Sequence, residues 1–230
     1  MSIRDRRTPA QERQRILSSH DCFWRTGELA GSPSTRQHLL SALVDEGELR
    51  RVRRGLYWRG SKSPLGMAPP PPDALIHELA PGPGVGPAGL YAANLLRLST
   101  QLPRQAEIAV PTRAPEDLKL IRFVTRPSRD ARVTAELAPT EVALLEVLGS
   151  WENAIELPSD EAWERLQALM SSGQVRTDRI AQAGRTEPGS IRARLRELLR
   201  ASGHSGLAEQ VPAADERTSA AAMRILPIPS

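Results

Sequence analysis

Cysteine is almost absent from this 230-residue chain. Cys22 stands alone, which excludes an internal disulfide and a cysteine-built zinc site. No run approaches the roughly 20 apolar residues needed to span a bilayer. The polar, basic start MSIRDRRTPAQERQR has no apolar stretch behind it, unlike a secretory signal. Those absences point to the cytoplasm. Aromatic residues are scarce at 3%, and of 31 basic residues only Lys62 and Lys119 are lysine. A GC-rich genome produces that arginine bias without functional pressure. No catalytic constellation emerges either. His20, His38, His77 and His204 are scattered, and no metal-ligand spacing occurs, so no catalytic residue, cofactor or metal is expected.

What is present suits a folded protein. Apolar residues make up 40% and charged residues 25%, enough for a packed core and against wholesale disorder. The net charge of +4 is unevenly placed. Residues 1–62 hold 13 Lys/Arg against 7 Asp/Glu, whereas residues 63–230 hold 18 against 20. A small basic unit ahead of a near-neutral remainder suits contact with a phosphate backbone. The stretch SKSPLGMAPPPP (61–72) separates the two, its prolines favouring extended polyproline II. The expected organisation is a unit over 1–62, a linker over 63–72, a larger domain over 73–210 and a loosely held tail over 211–230.

The basic unit reads as a winged helix-turn-helix. Thr8-Pro9 opens a helix reaching about Ser19, with proline well placed in the first turn. His20-Asp21 breaks it, and Phe23-Trp24 gives a bulky connection. Thr26 caps a short helix over Gly27–Ala30, which Gly31 ends. A second helix starts at Ser32-Pro33 and runs to about Glu46, with Leu39, Leu40, Leu43 and Val44 on one stripe. Its other face carries Ser34, Thr35, Gln37, His38 and Ser41, with Arg36 at the edge. Two short helices joined by a glycine-containing turn form the helix-turn-helix signature. The segment ELRRVRRGLYWR (48–59) then alternates arginines with β-forming residues around Gly55, which is a basic hairpin. Polar residues early on the second helix are placed to reach base edges, Thr35, Gln37 and His38 above all. Arg50, Arg51, Arg53 and Arg54 are placed to neutralise phosphates. Strict alternation puts Arg51 and Arg53 on one face and Arg50, Val52 and Arg54 on the other. The alternative is a basic surface hairpin beside an ordinary three-helix domain.

The remainder reads as a small sheet with several helices, giving an α+β chain overall. Asp73–Ala80 reads as a short helix. Strands are expected over Ala106–Pro111, Lys119–Arg126 and Arg132–Leu137. Gly84, Gly86 and Gly89 spell G-x-G-x-x-G, but prolines rather than a strand precede them, so a flexible approach to a buried helix with Tyr91, Leu95, Leu96 and Leu98 in the core is expected instead of a nucleotide site. Asp117-Leu118-Lys119, with Pro72-Asp73 upstream, resembles a metal-dependent nuclease pattern, but neither aspartate falls on a strand as that chemistry requires. Helices are expected over Pro139–Leu148, Ser159–Ser171, Thr177–Ala183 and Ser190–Ala201. The last carries Arg192, Arg194, Arg196 and Arg200 mostly off its apolar stripe, as a solvated face or a second basic surface.

The order TGELAG, then PSTRQHLLSALVDEGEL, then RRVRRGLYWR resembles the N-terminal winged helix of AbiEi-type antitoxins of type IV toxin–antitoxin systems. The block AGLYAANLLRLSTQLP is similar to a segment that follows it in that family, with Ala92, Ala93, Asn94, Leu98, Thr100, Gln101 and Pro103 in matching order. Arg97 stands where a glycine is common, and Tyr91 replaces a smaller residue. LAPTEVALLEVLGSWE resembles a further family helix. The resemblance covers about residues 10–150. It implies an antitoxin that binds its own promoter as double-stranded DNA, represses its operon and opposes a nucleotidyltransferase-like toxin without needing a stable complex. A stand-alone regulator with a ligand-sensing C-terminal domain and a DNA-processing nuclease are the other readings.

Overall fold

A computed structural model describes residues 7–64 and 66–226. It is an α+β structure that divides into two compact units after Glu78.

The first unit starts with α1 (Pro9–Leu17), closed by a capping box. The Thr8 hydroxyl accepts from the Gln11 amide, and the Gln11 side chain accepts from the Thr8 amide. The connection after it is strand β1 (Cys22–Arg25), and the short helix expected at 27–30 is a single 3₁₀ turn over Thr26–Glu28. Helix α2 (Pro33–Asp45) follows, its first turn capped by Ser32. Strands β2 (Arg50–Arg53) and β3 (Leu56–Arg59) form the basic hairpin around Gly55, whose φ of +77° suits glycine. The sheet order is β1-β3-β2, antiparallel throughout. Ile16, Trp24, Leu29, Leu40, Leu43, Leu49 and Tyr57 form the core on one face of this sheet. The Arg15 guanidinium lies 4.7 Å from the Trp24 ring centroid, covering its edge of the core.

The proline-rich stretch is not a free linker. Strands β4 (Lys62–Ser63) and β5 (Gly66–Met67) pair within it, and α3 (Pro72–Leu79) begins at its end. The buried Met67 side chain takes the Gly60 amide on its sulfur at 3.1 Å, and its carbonyl accepts from Arg50 at 3.2 Å. Those bonds bind the segment to the sheet, so the first unit extends past residue 62 as far as Glu78.

The second unit is built on a three-stranded sheet, β6 (Gly86–Pro87), β7 (Ala106–Val110) and β8 (Ile121–Thr125), in that order. The β6–β7 pair is antiparallel and β7–β8 parallel. Helix α4 (Gly89–Leu95) follows β6 and turns small side chains inward. Ala88, Ala92 and Ala93 are fully buried, and Leu96 and Leu98 lie in the core as expected, whereas Tyr91 is half-buried and Leu95 is 45% exposed, which corrects that part of the expected core. The G-x-G-x-x-G glycines serve close packing. A Cβ at Gly86 would sit 2.7 Å from Val142 Cβ, and one at Gly84 would sit 3.0 Å from the Arg132 backbone.

The strand expected over Arg132–Leu137 is instead helix α5 (Ala131–Thr134) with a turn through Glu136 at φ +50°. Its apolar alternation mimics a strand, but Arg132 is fully buried between two carboxylates, which the helical turn permits. Helix α6 (Pro139–Gly149) is buried on every face from Glu141 to Leu148 and forms the centre of the unit. Around it lie α7 (Trp151–Ala154), α8 (Ser159–Ser171), α9 (Thr177–Ala183), α10 (Gly189–Ala201), α11 (Ser205–Gln210) and α12 (Glu216–Met223). Within the tail expected to be loosely held, Glu216–Met223 is helical, and 227–230 lie outside the described residues. Asp215 caps α12, Ala222 is buried, and the Ala222 carbonyl accepts from Arg194. Three of the four arginines of α10 bind neighbouring backbone and acids, whereas Arg192 has no such partner among the described residues. Arg194 donates to the Leu148 carbonyl, Arg196 to the Val211 carbonyl, and Arg196 and Arg200 to Glu209.

Two local features yield predictions. Arg97 lies at φ +57° with its side chain exposed, the conformation for which the glycine of the resembled family is suited. Arg97→Gly should raise stability by about 0.5–1 kcal/mol, read as a shifted urea midpoint with unchanged slope. Glu156 accepts from the Ser99 hydroxyl, the Thr100 amide and the Gln101 side-chain amide, which hold its carboxyl at about 2 against an ordinary 4.5. Because the folded value is the lower one, its contribution is full above the ordinary carboxylate range and is lost as pH falls towards 2. Stability measured between pH 5 and 2 should therefore fall less steeply in Glu156→Gln than in the native chain.

Candidate nucleic-acid interface

Helix α2 and the β2–β3 hairpin present the residues singled out for DNA contact. The helix is oriented by Leu40 and Leu43, both fully buried, with Leu39 and Val44 packed beside them. That leaves Ser34, Gln37, His38 and Ser41 exposed and Thr35 and Arg36 half-buried. Thr35 is occupied locally. Its amide donates to the Ser32 hydroxyl at 3.2 Å, its own hydroxyl lies 2.8 Å from that oxygen, and its methyl packs over Gly31. The Ser34 hydroxyl belongs to the same cap, 2.9 Å from Ser32 Oγ. Thr35 is thereby a structural residue of the cap rather than a free base reader. The Gln37 amide donates to the Ser41 hydroxyl at 3.3 Å, one helical turn on, and the His38 imidazole has no partner among the described residues.

The hairpin departs from strict alternation. Arg50 pairs with Trp58, Arg51 with Tyr57 and Arg53 with Leu56, so the register shifts between Arg51 and Arg53 and Val52 is the extra residue of a bulge. Residues directly opposite on paired strands share a face. Arg53 consequently lies with Arg50 on the Trp58 and Leu56 face, and Arg51 lies on the Tyr57 face. The expected sharing of one face by Arg51 and Arg53 is corrected by that bulge. The Trp58 face is itself covered in part, since Phe23 stacks on Trp58 with centroids 4.7 Å apart.

Ion pairing divides the cations of this unit in two. Arg7 and Arg15 pair with Glu12, Arg13 with Glu46, Arg25 with Glu78, and Arg59 and Lys62 with Glu48. The Lys62 hydrogen bond holds the Glu48 carboxyl below its ordinary value, so this acid stays charged and spoken for. Arg36, Arg50, Arg51, Arg53 and Arg54 have no carboxylate partner among the described residues. Arg50 donates only to the Met67 carbonyl, and Arg36 Nε is buried without an acceptor. Every described arginine left without a counter-charge in residues 7–78 therefore lies on α2 or at the hairpin. Sequence reasoning missed this sorting, because the partners of the neutralised arginines lie as many as 53 positions away.

Neither aspartate of the nuclease pattern lies on a strand. Asp117 accepts the Phe123 amide at 2.8 Å from the turn before β8, and Asp73 lies in the first turn of α3. No helix among the described residues is long and apolar enough to cross a membrane.

No family model and no curated protein matches the chain. Among solved structures it is similar to the RV2827C protein from Mycobacterium tuberculosis. The two are 17% identical with a TM-score of 0.49 over 90% of this chain and 82% of that one.

The cap and the free cations should separate in mutational tests. Gln37→Ala and His38→Ala should each cost about 1–3 kcal/mol on a selected duplex and little on random DNA. Arg51, Arg53 and Arg54 changed together to Ala should weaken both, and should flatten the slope of log affinity against log salt by up to about three units. Filter binding or fluorescence anisotropy across a salt series checks both statements.

Proposed function

We propose that the chain binds double-stranded DNA through α2 and the basic hairpin, in the cytoplasm, as the repressor of its own promoter. The observation that carries this is that Arg36 on α2 and Arg50, Arg51, Arg53 and Arg54 at the hairpin have no carboxylate partner among the described residues, while α2 offers Gln37, His38 and Ser41 to solvent. A polar helix face supplies hydrogen-bonding groups that fit base edges in the major groove. Uncompensated guanidinium groups at a hairpin tip suit phosphates, where each neutralised phosphate releases counter-ions. An arginine already paired with a carboxylate would have to break that pair first, so the six neutralised cations add little.

The resemblance to AbiEi-type antitoxins extends the proposal. In that reading the repressed operon also encodes a nucleotidyltransferase-like toxin, which the protein opposes without needing a stable complex with it. No residue of the second unit is assigned to that role, and no catalytic step is assigned to the chain.

The test combines binding and growth. The full chain should retard a duplex carrying its own promoter at concentrations where a scrambled duplex stays free, with a steep salt dependence. Co-expression should rescue growth of cells carrying the adjacent nucleotidyltransferase gene. Equal affinity for promoter and scrambled DNA would defeat the repressor reading, and absence of rescue would defeat the antitoxin reading while leaving the repressor intact.

A further inference from the structure

The second unit carries a cavity of about 520 Å³ that DNA binding does not use. It lies against one side of a buried charge cluster. Arg132 bridges Glu146 and Glu187, donating Nη1 to Glu146 at 2.8 Å and Nε and Nη2 to Glu187 at 2.6 and 2.9 Å. Arg126 forks onto Glu146, with Nη2 at 2.7 Å. Arg129 donates Nη1 to Glu146 at 2.8 Å and lies 3.5 Å from Glu187 through Nε. Three guanidinium groups thus share two carboxylates. Every carboxylate oxygen is engaged, whereas Arg126 Nη1 and Arg129 Nη2 have no acceptor among the described residues, and both arginines line the cavity. Glu107 also faces it, but is itself paired with Arg122 at 3.1 Å. Counting that pair, the cluster carries four positive and three negative charges, a surplus of one cation.

The rest of the wall is mixed. The first turn of α10 reaches the cavity at Ser190 and Ile191, and its N-terminus has no side-chain cap. Such a turn offers outward N–H groups and a positive end of the helix dipole. Asn153 and Ser190 supply uncommitted polar groups, while Leu90, Ala154 and Ile191 give an apolar side. A concave site of this size with a few convergent polar groups on an apolar wall has the character of a small-molecule site.

We propose that this cavity binds a small organic oxyanion. Its carboxylate or phosphate head lies between Arg126, Arg129 and the first turn of α10, and its apolar body lies on Leu90, Ala154 and Ile191. The head supplies the counter-charge that the cluster lacks, accepting from Arg126 Nη1 and Arg129 Nη2, one nitrogen from each guanidinium. Burial lowers the pKa of Arg129, consistent with a cation short of compensation. The inference does not depend on the DNA-binding reading.

Calorimetric titration of the full chain at constant ionic strength, with chloride as the background anion, tests it. The probes are phenyl phosphate, benzoate and inorganic phosphate. Phenyl phosphate or benzoate should bind saturably with one site and a Kd below about 1 mM, and the stronger of the two identifies the head group. Asn153→Asp and Ser190→Asp each add a carboxylate at the wall without touching the arginine–glutamate bonds, and should weaken binding by about tenfold or more. Arg126→Lys keeps the charge but removes the free Nη1 donor, and should weaken it as well. Gln174→Asp, an exposed residue away from the cavity, should leave binding unchanged. Circular dichroism confirms that each variant is folded. No saturable binding of either organic probe, equal binding in native and Asp variants, or inorganic phosphate binding as tightly as phenyl phosphate would each overturn the proposal.

Discussion

Arg132 is a charged side chain with no exposure, and the second unit is arranged around satisfying it. Removing a guanidinium from water costs several kcal/mol, which only close, well-directed carboxylates offset. Glu146 on α6 and Glu187 just before α10 supply them, so one side chain on α5 binds two distant parts of the chain. Burial alone would raise the Glu146 pKa, but hydrogen bonds from Arg126 and the nearby arginine charges reverse that, and the carboxyl is held low. Deleting Glu146 would leave Arg126 without a carboxylate partner and Arg132 with only one, a change worth about 3–5 kcal/mol in comparable cases. Close approaches also occur nearby. A Cβ at Gly84 would meet the backbone of Arg132 on α5, and one at Gly86 would meet Val142 and Pro139 of α6.

The two units use the same residue type in opposite ways. In the second, Arg194, Arg196 and Arg200 of α10 end on backbone carbonyls and on Glu209, and Arg176 ends on Glu141, whose carboxyl is held low chiefly by that hydrogen bond against the effect of burial. These side chains act as cross-links between helices, and their positive charge is largely consumed within the unit. In the first, five arginines have no carboxylate partner among the described residues. Regional net charge pointed to the first unit, but partner geometry decides which of its described basic residues remain available to an external anion.

What was legible in the sequence was set by local chemistry. Thr8-Pro9 and Ser32-Pro33 announce α1 and α2 because a cap followed by a first-turn proline acts within four residues. The hairpin at Gly55 and the long apolar helix over 139–149 are similarly local, and the residues proposed for DNA contact fall on these elements. The misreadings arose where distant partners decide. Cys22–Arg25 becomes a strand because it pairs with Leu56–Arg59, more than thirty residues on. Val133, Ala135 and Leu137 alternate like a strand, yet this stretch is helical where Arg132 must reach Glu146 and Glu187. The cavity was invisible for the same reason, since its arginines and glutamates are spread over 107–146 and its opposite wall is at 188–191.

The bulge at Val52 shows how one extra residue changes what a basic hairpin can offer. With strict alternation, the four arginines would divide by parity, and one face would hold the usable pair. The register shift instead puts Arg50 and Arg53 opposite Trp58 and Leu56, while Arg51 stands opposite Tyr57. The Trp58 face then meets a second demand. Leu56 and Trp58 are almost fully buried, and Arg50 is tied to the Met67 carbonyl. Arg50 is thereby committed to holding β5 against the sheet, and its charge lies beside a backbone dipole. Arg51, Arg53 and Arg54 have no such commitment, and they leave the strand on both of its faces and at the turn. A hairpin with cations spread in this way can meet phosphates on either side of its tip, whereas a one-faced arrangement can meet only one row. The residue that breaks the pattern is thus the residue that distributes the charge.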